Sequence, residues 1–117
     1  NLDDKSLRRA GLDYHEFAEL QEHNNLAACL SGLEGRRVFA VSTRGVANYA
    51  EIEYRAGDVF LFGPETRGLP QTVIEAQPES QRIRIPMRPK NRSLNLSNAA
   101  TVVLYEAWRQ QGFRGGV

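Results

Sequence analysis

Apolar residues in this chain form three short runs that are bounded by polar, Gly or Pro positions. The runs are RRVFAVST (36–43), VFLFG (59–63) and QRIRIPM (81–87). Their β-branched and aromatic residues, and the alternation of Arg with Ile in the third run, are typical of strands. The second run is apolar throughout, and this pattern favours a strand that is covered on both faces of its sheet.

Other segments carry helical spacing or helix-boundary residues, and we predict helices there. These segments are 3–11, 25–35, 69–77 and 93–112. The first has Asp3 or Asp4 as its cap and Gly11 as its stop, the third has Pro70 in its first turn, and Gly112 ends the fourth.

Three further segments have weaker patterns. Segment 15–23 fits either a strand or a helix, and segment 43–58 is predicted to be a loop with some local structure. The last residues, 112–117, are predicted to be a frayed tail. Strands that alternate with helices indicate a single α/β domain with a mainly parallel sheet and helices on both faces.

Composition adds little to this picture, because 15 Lys and Arg residues against 14 Asp and Glu residues give a net charge of +1. Basic residues concentrate locally, and Lys5, Arg8 and Arg9 could contact phosphates, although a solvated helix face explains them as well. His15 and His23 lack partners at metal-ligand spacing, so no metal site is expected. With no apolar run long enough to span a membrane, we expect a cytoplasmic protein.

The exits of the three predicted strands are the most informative segments. Each apolar run passes directly into polar sequence with Gly or Pro, in VFAVSTRG, VFLFGPETRG and IRIPMRPKNRS. Ligands of parallel sheets bind beyond the carboxyl ends of the strands, so these exits could hold a flat ligand such as a nucleoside. Ordinary strand-to-helix turns would also be rich in Gly and Pro. Neither GxGxxG nor GxxxxGK[ST] is present.

Three of these stretches resemble a known family. FGPETRGLP, IRIPM and RSLNLSNAATVVLYEAWRQ are similar to signature motifs of SPOUT methyltransferases. Together with DDKSLRRAGLDYHEF, they resemble the small tRNA (cytidine(34)-2'-O)-methyltransferases that act at the wobble nucleotide. The resemblance extends from Leu2 to about Gly112.

The resemblance implies a fold and an activity. The fold is a SPOUT-type α/β sheet whose C-terminal part forms a trefoil knot. The activity is transfer of a methyl group from S-adenosylmethionine to the ribose 2'-hydroxyl of cytidine or uridine 34 in the anticodon loop, with S-adenosylhomocysteine as product. The implied partners are tRNA and a second copy of the chain in a homodimer.

The resemblance also implies roles for individual residues. Those implied to surround the cofactor are Val41, Gly63, Ile85 and Ser93. Glu65 and Arg67 are implied to hold the loop or orient the substrate.

Roles at the substrate follow from the same resemblance. Tyr105 and Asn95 are the candidates for catalytic residues. The candidates for contacts with tRNA are Lys5, Arg8 and Arg9.

One family motif is not found in the 117 residues. The family carries a catalytic arginine in an Asn-x-Gly-Asn-x-x-Arg motif on an N-terminal strand and helix, and this motif does not occur in the sequence. We therefore expect a single SPOUT domain over residues 1–117 that lacks this strand and helix. The alternative function is a non-catalytic knotted module that binds the cofactor or RNA.

Overall fold

The computed structural model describes residues 35–63, 68–87 and 98–117, together with the backbone of 7–11, 19–23 and 96–97. In this part of the chain a sheet has the strand order β2-β1-β5-β3-β6-β4. The strands are β1 (Leu7–Gly11), β2 (Glu19–His23), β3 (Val38–Val41), β4 (Ala47–Asn48), β5 (Val59–Phe62) and β6 (Arg82–Arg84). The α-helices are α1 (Gln71–Glu75) and α2 (Leu96–Gln110).

Four neighbouring strands, β5, β3, β6 and β4, are parallel to one another. Val38 lies opposite Val59 in the β3–β5 pair, and Val41 lies opposite Ile83 in the β3–β6 pair. The three strands predicted from apolar runs are confirmed, and so is a mainly parallel sheet. The loop predicted over 43–58 contains β4 and a short 3-10 helix, Tyr49–Glu51.

The prediction of a helix over 3–11 is wrong for Leu7–Gly11, which forms β1. This strand pairs antiparallel with β5, with Arg8 opposite Phe62 and Gly11 opposite Val59. Its other edge pairs antiparallel with β2, which shows that residues 19–23 of the ambiguous segment form a strand. Pairing with a buried strand outweighs the weak local preference for a helix. The helix predicted over 25–35 lies outside the described residues, apart from Gly35.

The side chains of the central strands alternate between two apolar clusters, one on each face of the sheet. Phe39 and Phe60 are fully buried on the face that α2 covers, where Val103 and Ala107 pack against them. The opposite face carries Ala40, Leu61, Leu69, Val73 and Ile74, the last two from α1. The predicted helices over 69–77 and 93–112 are thus confirmed in their described parts, and they lie on opposite faces.

Backbone hydrogen bonds and a ring contact hold the residues after α2 against the end of the helix. The prediction of a frayed tail is therefore wrong. Phe113 N–H donates to Trp108 O and Gly112 N–H donates to Arg109 O, each at 3.0 Å. Gly112 has φ +74°, and the rings of Trp108 and Phe113 lie 5.1 Å apart. This is a Schellman motif, in which a left-handed glycine lets the following N–H groups bond to the last carbonyls of a helix and a hydrophobic contact accompanies them. Trp108 Nε1–H also donates to Arg114 O at 2.8 Å.

The turn between the 3-10 helix and β5 is fixed by the end of α2. The Gln110 side chain accepts from Tyr54 N–H at 2.9 Å and donates to Ile52 O at 2.8 Å. The Tyr54 ring is buried against Phe39 and Phe60. Burial raises the pKa of the Tyr54 phenol, and the carboxylates of Glu106 and Asp58 raise it further. This tyrosine therefore stays neutral and has a packing role.

An ion pair joins the amino ends of β3 and β5, at the end of the sheet opposite the strand exits. Arg37 donates to both carboxylate oxygens of Asp58, from Nε at 3.0 Å and from Nη2 at 2.7 Å. Asp58 is only 2% exposed and also accepts from Arg55 N–H at 2.8 Å. Such bidentate, charge-assisted hydrogen bonds fix geometry as well as charge.

We expect Asp58→Ala to lower the free energy of unfolding by about 2–3 kcal/mol, because it leaves Arg37 without its carboxylate and Arg55 N–H without an acceptor. The Arg37 side chain is 29% exposed, so water partly solvates the unpaired guanidinium. The loss of stability therefore stays at the lower end of the range for a broken buried ion pair. Urea denaturation measures the effect. Glu53→Ala is the control, because Glu53 is exposed and only its backbone carbonyl accepts from Arg37. Equal midpoints for Asp58→Ala and the parent chain would contradict this role.

Candidate functional site

The carboxyl ends of three adjacent parallel strands meet at one edge of the sheet. Val41 is the last residue of β3, Gly63 directly follows β5, and Ile85 directly follows β6. Ser42 N–H donates to Ile83 O at 3.0 Å and so joins the exits of β3 and β6. Val41 and Ile85 are half-buried and pack against the apolar cluster under α2. The structure therefore brings together three of the four residues that were predicted to surround a cofactor.

The loop that leaves β5 is closed tightly at its base. A Cβ atom on Gly63 would overlap the backbone of Gly68 and Leu69, because the returning chain passes directly against Gly63. Gly68 has φ +72°, a left-handed conformation that favours glycine, and Leu69 is buried in the cluster under α1. The close packing of the loop's own backbone therefore requires glycine at position 63. The sequence pattern did not indicate this reason.

The segment Ser42–Val46 crosses over β6. The preceding strand β3 pairs with one edge of β6, whereas β4, which follows the segment, pairs with the other edge. Val46 N–H donates to Arg82 O at 2.9 Å, and the backbone of Gly45 lies directly against Ile83 and Arg84. The short crossing is possible because Gly45 has no side chain to keep the two backbones apart.

Arg44, at the centre of this crossing segment, contacts the loop that leaves β5. Its Nη2 donates to Leu69 O at 2.5 Å, and its Nη1 donates to the Gln71 side-chain oxygen at 2.6 Å. This arginine was not among the predicted site residues. Its position in a polar, Gly-containing strand exit was the available signal, but its partner 25 residues away could not be read from the sequence.

The other predicted site residues are distributed as follows. Those outside the described residues are Lys5, Glu65, Arg67, Ser93 and Asn95. Arg8 and Arg9 lie in β1 and pair with β2 and β5 through their backbone. The predicted contacts of these residues with cofactor or tRNA stay predictions.

Tyr105 lies in the second half of α2. It is on the outer side of α2, 53% exposed, with its ring 5.6 Å from that of Trp108. It follows Leu96, the first residue of α2, by nine positions, which is about 13 Å along a helix. The predicted catalytic role of Tyr105 stays a prediction.

The edge presents apolar side chains and backbone polar groups. Among the described residues, no group of three or more His, Cys, Asp or Glu side chains could hold a metal ion. None of the helices in the described ranges has the length and apolar character of a membrane span. Half-buried aliphatic side chains beside backbone amides suit a planar heterocycle with polar edges.

Comparison with known proteins gives consistent results. A model of the SpoU rRNA Methylase family matches residues 1–105. A tRNA (cytidine(34)-2'-O)-methyltransferase of Methylovorus glucosotrophus (strain SIP3-4) is 56% identical over 117 residues, which are 100% of this chain and 76% of that protein. The corresponding protein of Escherichia coli (strain K12) is 53% identical over 98% of this chain and 73% of its own length.

Solved structures show the same relationship. One, described as "Structural insights into the 2-OH methylation of C/U34 on tRNA", superposes with a TM-score of 0.70 at 48% identity. The superposition covers 79% of this chain and 59% of the solved chain. An A. aeolicus TrmH/SpoU tRNA modifying enzyme gives a TM-score of 0.61 at 30% identity, over 78% of this chain and 47% of that one.

Proposed function

The chain belongs to the SpoU rRNA methylase family, and we propose that it is a tRNA 2'-O-methyltransferase acting on nucleotide 34. The methyl donor is S-adenosylmethionine and the acceptor is the ribose 2'-hydroxyl of cytidine or uridine 34. The single observation that carries this proposal is sequence identity above 50% to two tRNA (cytidine(34)-2'-O)-methyltransferases over nearly the whole chain.

The strand exits fit the proposed cofactor. Val41 and Ile85 offer half-buried aliphatic surface for an adenine ring, and the backbone near Gly63 offers polar groups for its edge. Ser93 would complete this set. When bound, S-adenosylmethionine would supply a methyl group on a sulfonium centre, which is already a good leaving group. The protein therefore has to hold the ribose 2'-hydroxyl in line with that methyl and help remove its proton.

The residues proposed to contact the substrate are assigned from the family motifs. Asn95 and Tyr105 act near the ribose, Glu65 and Arg67 hold the loop or orient the substrate, and Lys5, Arg8 and Arg9 bind tRNA phosphates. A homodimer in the cytoplasm is the proposed working form.

A trefoil knot in the C-terminal part is the proposed form of the fold. Knots are otherwise nearly absent from protein folds. The family is the reason for proposing one here.

Calorimetric titration with S-adenosylhomocysteine tests the cofactor part of the proposal. We expect saturable binding of one ligand per chain. A parallel assay follows transfer of labelled methyl to tRNA by the same preparation. Binding accompanied by transfer supports the enzyme, whereas binding without transfer identifies a non-catalytic module. A folded chain that does not bind would contradict the proposed cofactor site.

A further inference from the structure

Arg44 connects two segments that are far apart in sequence and lie side by side at the strand exits. Its guanidinium reaches from the β3 exit to Leu69 O at 2.5 Å and Gln71 Oε1 at 2.6 Å. Leu69 lies in the arm of the β5 loop that returns toward α1, and Gln71 is the first residue of α1. These are charge-assisted hydrogen bonds, which are shorter and stronger than those between neutral groups.

The contact continues along α1. Gln71 accepts from Arg44 through Oε1 and donates through Nε2 to the Glu75 carboxylate at 3.1 Å. The carboxamide thus lies between a cation and an anion, and each polarises it in the same direction. This arrangement orients the guanidinium and selects one rotamer of a long, otherwise flexible side chain.

The segment that carries Arg44 is itself fixed. Arg44 N–H donates to Ser42 Oγ and Gly45 N–H donates to Ser42 O, both at 3.0 Å. Ser42 and Val46 are hydrogen-bonded to the backbone of β6. The crossing segment that carries Arg44 is therefore hydrogen-bonded to β6. The Arg44 guanidinium joins this segment to the loop after β5.

We propose that Arg44 is a positioning residue for the cofactor, which holds the returning arm of the β5 loop at a fixed distance from the exits of β3 and β6. This inference rests on the proposed function, because it assigns the cofactor to these three exits. Arg44 acts through Leu69 and Gln71, and its removal loosens the loop at Gly63 without removing a group that contacts the ligand. Preorganisation of this kind raises affinity by reducing the ordering that binding requires.

The test compares Arg44→Ala, Arg44→Lys and Gln71→Ala with the parent chain. We expect Arg44→Ala to raise the dissociation constant for S-adenosylhomocysteine by about tenfold, the effect of losing a charge-assisted hydrogen bond. Arg44→Lys should restore part of the affinity, since an ammonium can bond to one of the two acceptors. Gln71→Ala should have a smaller effect, and the double variant should resemble Arg44→Ala, because the two residues act as one unit.

Arg55→Ala is the matched control. Arg55 is an exposed arginine near the amino end of β5, and its described contact with Asp58 is made by the backbone. The Arg55→Ala variant should bind S-adenosylhomocysteine with the affinity of the parent chain. The stoichiometry of titration separates positioning from irreversible damage, because irreversibly unfolded chains lower the number of sites and leave the affinity of the remaining sites unchanged.

Hydrogen exchange of the ligand-free protein provides a readout that is independent of the cofactor. Amides of Val73 and Ile74, which donate to Pro70 O, should exchange faster in Arg44→Ala, whereas amides of β3 and β5 should not change. Unchanged exchange at Val73 and Ile74, or an affinity for S-adenosylhomocysteine equal to the parent's, would overturn the inference. Should the parent chain itself not bind, the proposed cofactor site fails, and the exchange rates alone decide whether Arg44 holds the loop.

Discussion

Gly63→Ala is expected to weaken binding of S-adenosylhomocysteine strongly and to destabilise the fold. The added Cβ would overlap backbone atoms of Gly68 and Leu69, and backbone cannot turn aside as a flexible side chain can. The base of the loop must then open, and this moves the returning arm away from β5. Overpacking of this kind costs about 1–3 kcal/mol in stability. We expect the affinity to fall by about a hundredfold, because the loop that forms one wall of the proposed site is displaced.

Titration of Gly63→Ala at a temperature where the variant is folded measures the effect on binding. Gly57→Ala is the control. Gly57 has φ +93°, and no atom lies within 4 Å of the position that a Cβ would take, so alanine there brings no overlap. It brings only backbone strain of about 1 kcal/mol. Gly57 also lies near the amino end of β5, away from the strand exits. Equal affinities for Gly63→Ala and Gly57→Ala would contradict the role given to the loop.

Gly45→Ala is expected to cause the largest loss of stability of the changes considered. Its Cβ would overlap the backbone of Ile83 and Arg84, in the strand that the crossing segment passes. To relieve the overlap, the segment must lift away from β6. The hydrogen bonds of Ser42 and Val46 to β6 would then break, and the short strand β4 would lose its only described partner strand. We expect a loss of about 3 kcal/mol or more, the upper part of the range for overpacking.

Urea denaturation of Gly45→Ala and of Val46→Ala tests this prediction. Val46 is the neighbouring residue, and its side chain is 57% exposed, so its truncation should change stability by less than about 0.5 kcal/mol. A midpoint for Gly45→Ala as high as that of Val46→Ala would show that the crossing tolerates a side chain.

The strands and helices that carry the site were predictable because their signals are local. VFLFG is apolar throughout and forms a strand whose residues are all buried, and the spacing of Ala100, Val103, Leu104 and Ala107 matches the buried face of α2. Residues at the strand ends could also be assigned to one edge, since parallel strands place their carboxyl ends together.

The sequence was less informative where distant segments meet. The Asp and Gly positions of 3–11 are typical of a short helix, but Leu7–Gly11 pairs with β5, which lies far along the chain. The importance of Gly45 also depends on a distant segment, because a side chain at this position would overlap the backbone of Ile83. The C-terminal motif is different, because an apolar residue directly after Gly112 is a local signal for a Schellman motif, and the prediction of a frayed tail overlooked it.

Methyl transfer to a defined tRNA tests the central claim most directly. Two otherwise identical tRNAs are compared, one with a free 2'-hydroxyl on cytidine 34 and one already methylated at that oxygen. We expect incorporation of label into the first, mapped to nucleotide 34, and none into the second. Equal labelling of both tRNAs, or labelling at another nucleotide, would contradict the proposed activity. A chain that binds S-adenosylhomocysteine but labels neither tRNA would be a cofactor-binding module and not an enzyme.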